Sequence, residues 1–141
     1  MFLLIDPIHI KNIYLKMKKI DNSFMKKELN TIRYMQEIRQ CSKEYLPMSD
    51  SLIAYDLILY IAITHNEQQP ITIKQLFSCC SHSYTAIRTH YNRLLNNGYL
   101  IHKTAANDKR VKYVEPTEKL IQSTINFANK VSLILEISAG M

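Results

Sequence analysis

Residues 70–100 read PITIKQLFSCCSHSYTAIRTHYNRLLNNGYL and contain the clearest local signals in the chain. Thr72 and Gln75 have the spacing of a capping box, in which each side chain bonds the backbone N–H of the other residue. This pair predicts a short helix that begins after Thr72 and ends near residues 79–80. Its inward-facing apolar residues would be Ile73, Leu76 and Phe77.

A second helix is predicted over residues 84–96, after a polar joint at residues 81–83. Ser83 is a favourable N-cap residue. The apolar residues that follow recur at helical spacing and predict one buried stripe, which consists of Ile87, Tyr91 and Leu94. Gly98 suits the left-handed position just beyond a helix end. Two short helices separated by a polar turn predict a helix-turn-helix.

The pattern changes after this second helix. Two segments rich in β-branched and aromatic residues, 99–103 and 110–114, flank the polar loop 104–109, which predicts a β-hairpin with a basic rim. Pro116 and Thr117 predict the start of a last helix with Thr117 as its cap. Its apolar stripe would contain Leu120, Ile121, Ile125, Ala128, Val131 and Leu135. The order helix-turn-helix, hairpin, helix is that of a winged helix.

The N-terminal part predicts two helices, over residues 8–20 and 24–41, with a break or N-cap at residues 21–23. The second helix must end before Pro47, because a residue that precedes proline avoids the helical conformation. Another helix, over residues 51–65, is apolar on more than one face and is the predicted core helix. The side chains that can cap it are Ser49, Asp50 and Ser51.

The predicted fold class is therefore mainly α with a small β-hairpin wing: a winged helix-turn-helix core with N- and C-terminal helices. The 141 residues suit one domain. Glycine (2 residues) and proline (4 residues) are scarce, which argues against sandwiches, barrels and glycine-rich phosphate loops.

Positive charge is concentrated in residues 86–112. This segment has six basic residues and one acidic residue, a net charge of +5, whereas the whole chain has a formal net charge of +6. Lys and Arg displace counterions from a duplex when they contact its phosphates. The asymmetry therefore indicates a polyanionic partner, and a helix-turn-helix fits double-stranded DNA.

The 84–96 helix is polar on the face opposite its apolar stripe, which suits a DNA major groove. Arg can bond guanine, Asn can bond adenine, and a threonine methyl can touch a thymine methyl. In the wing, Arg110 fits the narrow minor groove, and Asp108 would hold it extended through local hydrogen bonds. The alternative is a solvated helix face beside an ordinary turn. The predicted DNA-binding residues are Ser83, Tyr84, Thr85, Arg88, Thr89, Asn92, Arg93, Lys109, Arg110 and Lys112.

The segment from Pro70 to Thr117 resembles the winged-helix core of MarR-type transcriptional regulators. The resemblance covers about a third of the chain, and it rests on Pro70-Ile-Thr72, Leu76, Leu94-Leu-Asn-Asn-Gly98 and Asp108-Lys-Arg110. It implies that residues 84–96 are the recognition helix, with Arg110 at the wing tip and Asp108 as its support. It also implies a dimer that represses or activates genes from pseudo-palindromic sites, often under control of a small ligand or an oxidant.

The chain departs from this family at Pro116, where Leu is usual, and at His102, where Arg is common. Compared with that family, the segment after Thr117 is short and the N-terminal part, up to about residue 46, is long. The apolar faces of the terminal helices exceed what one small winged helix can cover, and a symmetric homodimer is the commonest solution. We therefore expect a helical dimerisation segment at 1–46, the DNA-binding core at 47–116 and a C-terminal helix at the dimer interface at 117–141.

Three cysteines, an odd number, do not suggest a secreted disulfide framework, which favours a reducing, cytoplasmic compartment. Cys79 and Cys80 are predicted to be buried thiols that fill space, with a redox sensor as the alternative, and Cys41 is equally ambiguous. Tyr60 and Tyr91 are expected to be core residues, and lining a ligand pocket is their alternative role.

The sequence offers no enzymatic or membrane signal. The five histidines show no metal-ligand spacing, and no catalytic arrangement or nucleotide-binding loop is present, so we expect no metal, no cofactor and no catalysis. No apolar run is long enough to span a bilayer, and the apolar start of the chain is too short for a signal peptide.

Three functional hypotheses follow. The first is a homodimeric, sequence-specific regulator of transcription that binds double-stranded DNA and can respond to a small-molecule effector. The second is a winged-helix adaptor that binds another protein. The third is a plasmid or phage replication or maintenance protein that uses the same module.

Overall fold

The computed structural model describes residues 6–48 and 50–140, except the side chains of residues 20, 21, 23 and 24. The predicted class, mainly α with a small β-hairpin wing, is confirmed. In chain order the elements are α1 (Pro7–Tyr45), α2 (Leu52–Asn66), β1 (Ile71–Thr72), α3 (Ile73–Cys79), α4 (Tyr84–Asn96), β2 (Leu100–Thr104), β3 (Lys112–Pro116) and α5 (Glu118–Ala139).

The N-terminal helix α1 is continuous, so the predicted break at residues 21–23 is wrong. Asp6 caps the helix by accepting the backbone N–H of Ile8 at 3.0 Å, and α1 then runs for 39 residues, about 58 Å at the helical rise. Asp, Asn and Ser cost only up to about 0.7 kcal/mol each inside a helix, and a second nucleation would also be unfavourable. The helix ends before Pro47, as predicted.

The core lies around α2, which begins one residue later than predicted. Ser51 caps it by accepting the N–H of Ile53 at 3.2 Å. Of the other two candidate caps, Asp50 is exposed and Ser49 lies outside the described residues. The fully buried side chains of α2, which meet α3, α4, the sheet and α5, are Ala54, Leu57, Ile58 and Ile61.

Local hydrogen bonds place the helix-turn-helix as the sequence predicts. The hydroxyl of Thr72 accepts the N–H of Gln75 at 3.1 Å, and the Gln75 side chain accepts the N–H of Thr72 at 2.9 Å. Ser83 caps α4, and Gly98 takes a φ of 75° just after the helix. Thr117 is the N-cap residue of α5, as predicted, but its hydroxyl donates to the Gly98 carbonyl at 2.8 Å and makes no capping bond to the helix.

The sheet has a third strand that the sequence did not reveal. The order is β1-β3-β2, all antiparallel, and β1 is only two residues long, too short to show an alternating pattern. Strands β2 and β3 begin one and two residues later than predicted, so the wing loop is 105–111 and Arg110 lies in the loop. His102 pairs with Val114 across β2 and β3, on the face turned towards the core.

The C-terminal helix α5 packs along α1 with a stripe that differs from the predicted one. Its buried residues are Leu120, Phe127 and Ile134, spaced seven apart, whereas the predicted Ile125, Ala128 and Leu135 are exposed. Of the other predicted residues, Leu120 is shared with the buried set, and Ile121 and Val131 are half-buried. Among the described helices, none is both long and apolar enough to cross a bilayer.

Candidate nucleic-acid interface

The outer face of α4 is polar and exposed. Burial of the predicted stripe, with Ile87 1% exposed, Tyr91 3% and Leu94 0%, turns the opposite side of the helix to solvent. One hydroxyl there is already satisfied, because Thr89 donates to the Thr85 carbonyl at 3.0 Å. The predicted contact residues on this face are all exposed, namely Thr85, Arg88, Thr89, Asn92 and Arg93.

The start of α4 adds a fixed hydroxyl and a large aromatic ring. Ser83 accepts the N–H of Ala86 at 3.4 Å as the N-cap. Tyr84 is 64% exposed, and its ring meets that of Phe77 edge-on with 5.3 Å between centroids. Contact with Phe77 orients the Tyr84 ring while leaving most of it accessible to a partner.

The wing loop is ordered by its own backbone. The Asp108 carboxylate accepts the N–H of Arg110 at 2.9 Å, and the Asp108 carbonyl accepts the N–H of Val111 at 3.0 Å. Ala105 donates its N–H to Val111 across the loop at 3.0 Å. Asp108 thus restrains the backbone of Arg110. Among the described residues, no carboxylate forms an ion pair with the Arg110 guanidinium.

A cleft of about 650 Å³ joins the wing to the helix-turn-helix. It brings Arg110 and Lys112 of the wing side to Tyr84 of α4, although these residues are far apart in sequence. Lys74 of α3 also lines this cleft, and sequence reasoning missed it. Lys74 lies between the two capping-box residues. It was missed because the basic DNA-binding residues were sought in and around the charge-rich segment 86–112.

One of the six basic residues of that segment is already paired. The Lys103 ammonium lies 3.0 Å from a Glu115 carboxylate oxygen. Lys103 and Glu115 belong to the sheet face opposite to that of His102, because side chains alternate along a strand. The charge available beside α4 therefore comes mainly from its arginines and from Lys109, Arg110 and Lys112.

Three histidine contacts hold the helix-turn-helix in place. His82, in the turn before α4, lies 2.7 Å from a carboxylate oxygen of Asp56 on α2. His90 on α4 lies 3.2 Å from the Ser51 hydroxyl at the start of α2. His102 on β2 is hydrogen bonded to the Tyr91 hydroxyl. These contacts are tertiary, so residue spacing gave no sign of them.

The cysteines differ in exposure, and the predicted burial of Cys79 is wrong. Cys79 is exposed at the end of α3, where its sulfur accepts the Tyr60 hydroxyl at 3.1 Å, and this bond raises the pKa of Tyr60. Cys80 is half-buried, and burial raises the pKa of its thiol. Cys41, on α1, is buried and belongs to the hydrophobic core. No group of three metal-ligating side chains occurs in the described part of the chain.

No family model matches the chain, and no curated protein matches it in sequence. Solved structures do match. A point mutant of MepR from S. aureus, bound to an oligodeoxyribonucleotide, has a TM-score of 0.68 at 12% identity and covers 85% of this chain and 83% of its own. The transcriptional regulator Tm0710 from Thermotoga maritima has a TM-score of 0.59 at 16% identity, and the match covers 81% of this chain and 77% of Tm0710.

A third match is a MarR-like transcription regulator from Bacillus cereus ATCC 10987, with a TM-score of 0.53 at 15% identity over 94% of this chain and 84% of its own. At these identities the likeness concerns the fold, and it extends beyond the segment from Pro70 to Thr117 that carries the sequence resemblance. The chain has the winged-helix fold of MarR-like transcription regulators.

Proposed function

We propose that the chain is a homodimeric regulator of transcription that binds double-stranded DNA in a sequence-specific manner. In this proposal α4 lies in the major groove, and the wing, predicted as residues 104–110 and observed as the loop 105–111, enters the adjacent minor groove. The observation that carries it is the cleft in which Arg110 and Lys112 meet the start of α4, beside an exposed polar helix face. A recognition helix followed by a basic ribbon suits two neighbouring grooves of one duplex.

Within α4 the proposal gives each polar side chain a role. Arg88 would bond a guanine, Asn92 an adenine, and the methyl groups of Thr85 and Thr89 would contact thymine. Phosphate contacts fix the position of the protein and carry no sequence information. The residues proposed for phosphates are Ser83, Tyr84, Arg93, Lys109 and Lys112, to which the structure adds Lys74.

In the wing, the free guanidinium of Arg110 would enter the minor groove, whose narrow segments concentrate negative potential. Asp108 supports this role because it fixes the backbone of Arg110 without neutralising its charge. An Arg that was paired with a carboxylate would have to give up that pair before it could bind DNA.

The homodimer is proposed from the apolar surface of the terminal helices. On α1, Ile10 is 52% exposed, Leu29 56% and Ile32 59%, and on α5, Leu133 is 54% exposed and Ile137 61%. Apolar surface on this scale marks a protein interface. A two-fold axis there would place the two copies of α4 in successive major grooves, about 34 Å apart. Segments 1–46 and 117–141 would then dimerise, and residues 47–116 would bind DNA.

A small-molecule effector is part of the proposal. The cleft beside the wing has the volume of an ordinary ligand site, and its lining combines Phe77 and Tyr84 with cationic side chains. A ligand held there would block the approach of Arg110 to a duplex. Binding of DNA and of such a ligand would therefore oppose each other.

The experiment is a selection of bound fragments from randomised duplex DNA and from genomic DNA, followed by mobility-shift assays at several salt concentrations. We expect one enriched site with two-fold symmetry, and affinity that falls steeply as salt rises. The exposed Tyr84 ring favours a protein-binding adaptor as the second candidate, and an adaptor would retain no duplex at moderate salt. Genomic sites at promoters would indicate regulation, whereas sites at a plasmid or phage origin would indicate replication.

A further inference from the structure

An aromatic pair, in which Tyr91 is buried and His102 half-buried, joins α4 to the hairpin on the side away from the exposed face of the helix. Tyr91 of α4 and His102 of β2 stack with 5.8 Å between ring centroids and 11° between ring planes. The Tyr91 hydroxyl is hydrogen bonded to Nε2 of His102, and the ring of Phe77 meets Tyr91 edge-on with 5.3 Å between centroids. The ring of Tyr91 is therefore fixed by Phe77 of α3 as well as by the strand.

The direction of the hydrogen bond follows from the environment of the two groups. Burial raises the pKa of Tyr91 to about 12, so the phenol keeps its proton at neutral pH and donates it. His102 must then accept at Nε2 and carry its own proton on Nδ1. Burial lowers the pKa of His102, and the positive charge of Lys112 lowers it further.

The charged surroundings of His102 are one-sided. On β3, Lys112 occupies the same sheet face as His102, whereas the neighbouring Lys103 lies on the opposite face and is paired with Glu115. Helix α4 presents the phenol of Tyr91 to the ring, and Val114 is its cross-strand neighbour. None of these named neighbours carries a negative charge that would stabilise an imidazolium ion.

The pair also spans the turn that sets the direction of the wing. Helix α4 ends at Asn96 and β2 begins at Leu100, with Gly98 between them. Backbone hydrogen bonds brace this turn, from the Tyr99 N–H to the Leu94 carbonyl at 3.0 Å and from the Thr117 N–H to the Tyr99 carbonyl at 3.0 Å. The bond between Tyr91 and His102 joins α4 to β2 at a second point, away from the turn.

We propose that the Tyr91–His102 pair is a positioning element, which holds the wing at a fixed angle to α4 while His102 is neutral. Protonation of His102 gives the ring a second N–H, which takes the phenol oxygen as its acceptor and leaves the phenol proton without one. It also places a positive charge beside Lys112. The bond is reversed and not broken, but the orphaned phenol proton and the added charge both weaken the packing of β2 against α4, so that the hairpin can turn and Arg110 shifts relative to α4. This inference rests on the proposed DNA binding.

The first test is a double-mutant cycle on DNA affinity, using the duplex recovered by the selection at pH 7.5. Tyr91→Phe keeps the stacked ring and removes the hydrogen bond, which we expect to weaken binding roughly 5- to 10-fold. In an Arg110→Ala background the same substitution should cost clearly less, because the pair acts through the wing and its main contact is already gone. Tyr113→Phe, on the outer face of β3, is the matched control and should bind like the wild type. Equal losses in both backgrounds would overturn the proposal.

The pH profile supplies a signature that a merely structural role would not show. Because the pKa of His102 is lowered in the folded protein, wild-type affinity should fall only on the acid side of the ordinary histidine pKa of about 6.5, and the fall should be absent in His102→Phe, which keeps the stack. Circular dichroism at each pH shows that both proteins stay folded. Identical pH profiles would contradict the role given to His102.

A third measurement uses the free protein and does not depend on DNA. We expect nitrogen-detected NMR to show His102 with its proton on Nδ1 at pH 7.5, and residual dipolar couplings to show that the hairpin turns relative to α4 in Tyr91→Phe. An unchanged hairpin orientation would overturn the positioning role. If the wild type recovers no duplex but the hairpin does turn, the proposed function fails while the coupling between α4 and the wing stands.

Discussion

Asp108 illustrates how a single side chain defines the proposed interface. The sequence suggests that it restrains Arg110, and the structure shows that its carboxylate accepts the backbone N–H of that residue at 2.9 Å. Spacing alone predicts such a contact, because an Asp accepts the N–H two residues further on in an Asx turn. The bond between Tyr91 and His102 is different in kind, since its partners are joined only when the hairpin folds back on α4.

His102 also makes the stability of the fold depend on pH. Its pKa is lowered in the folded state, so the unfolded chain takes up the proton first as the pH falls. The stabilisation is therefore complete above about pH 6.5, the usual histidine pKa, and is lost as the pH drops below it. We expect the midpoint of thermal unfolding to fall less between pH 7.5 and pH 5.5 in His102→Phe than in the wild type.

The other four histidines are present in both proteins, so the comparison isolates His102. His102→Phe also removes the acceptor of the Tyr91 hydroxyl and should unfold at a lower temperature at pH 7.5. A parallel decrease in the two proteins below pH 6.5 would show that His102 does not carry this dependence.

At the scale of the elements, strong local signals predict well and weak ones fail. The capping box of α3, the Ser83 cap and the Gly98 turn lie where the sequence places them. The two-residue strand β1 is invisible, because it exists only through its pairing with β3. The break expected at residues 21–23 fails because cap-forming residues are also tolerated inside a long helix.

Gly98 allows a sharp test of its turn. Its φ of 75° is strained for any residue with a side chain, although an added Cβ would meet no atom within 4 Å. Gly98→Ala should therefore lower the free energy of unfolding by about 1–2 kcal/mol through backbone strain alone. Urea denaturation measures this change.

Gly140→Ala is the matched control. Gly140 has a φ of −81°, and its nearest contact for an added Cβ is an ordinary 3.6 Å. This substitution should leave the stability within about 0.5 kcal/mol of the wild type. Equal effects at the two glycines would show that the turn after α4 is not under conformational restraint.

At the scale of the whole molecule, α1 and α5 expose apolar side chains that the described part of the single chain does not cover. Sequence periodicity shows that these helices are amphipathic, but it does not show which apolar residues the chain itself buries. On α5 the buried set is Leu120, Phe127 and Ile134, and the predicted Ile125 and Leu135 are exposed. Sequence reasoning could not predict which of these apolar residues are buried, because their burial depends on packing against helices that are distant in sequence.

We expect Leu29→Glu to break the proposed homodimer, because it puts a charge in the middle of the exposed apolar face of α1. Light scattering coupled to size exclusion should show a dimer for the wild type and a monomer for the variant. DNA affinity should fall by roughly 100-fold or more, since the two halves of the site would no longer be bound together.

Thr31→Glu puts the same charge on another side of the same helix turn and should remain dimeric. A wild-type monomer, or a dimeric Leu29→Glu variant, would contradict the interface proposed for the terminal helices.

The central claim is that the outer face of α4 reads bases, and Arg88 tests it most directly. The measurement is the binding profile of wild type, Arg88→Ala and Lys112→Ala over the randomised duplex pool at one salt concentration. We predict that Arg88→Ala loses about 1–3 kcal/mol of binding free energy on the selected site and no longer prefers one base at one position in each half-site. Lys112→Ala should weaken binding to all sequences alike. An Arg88→Ala profile with unchanged affinity and unchanged base preference would contradict the account.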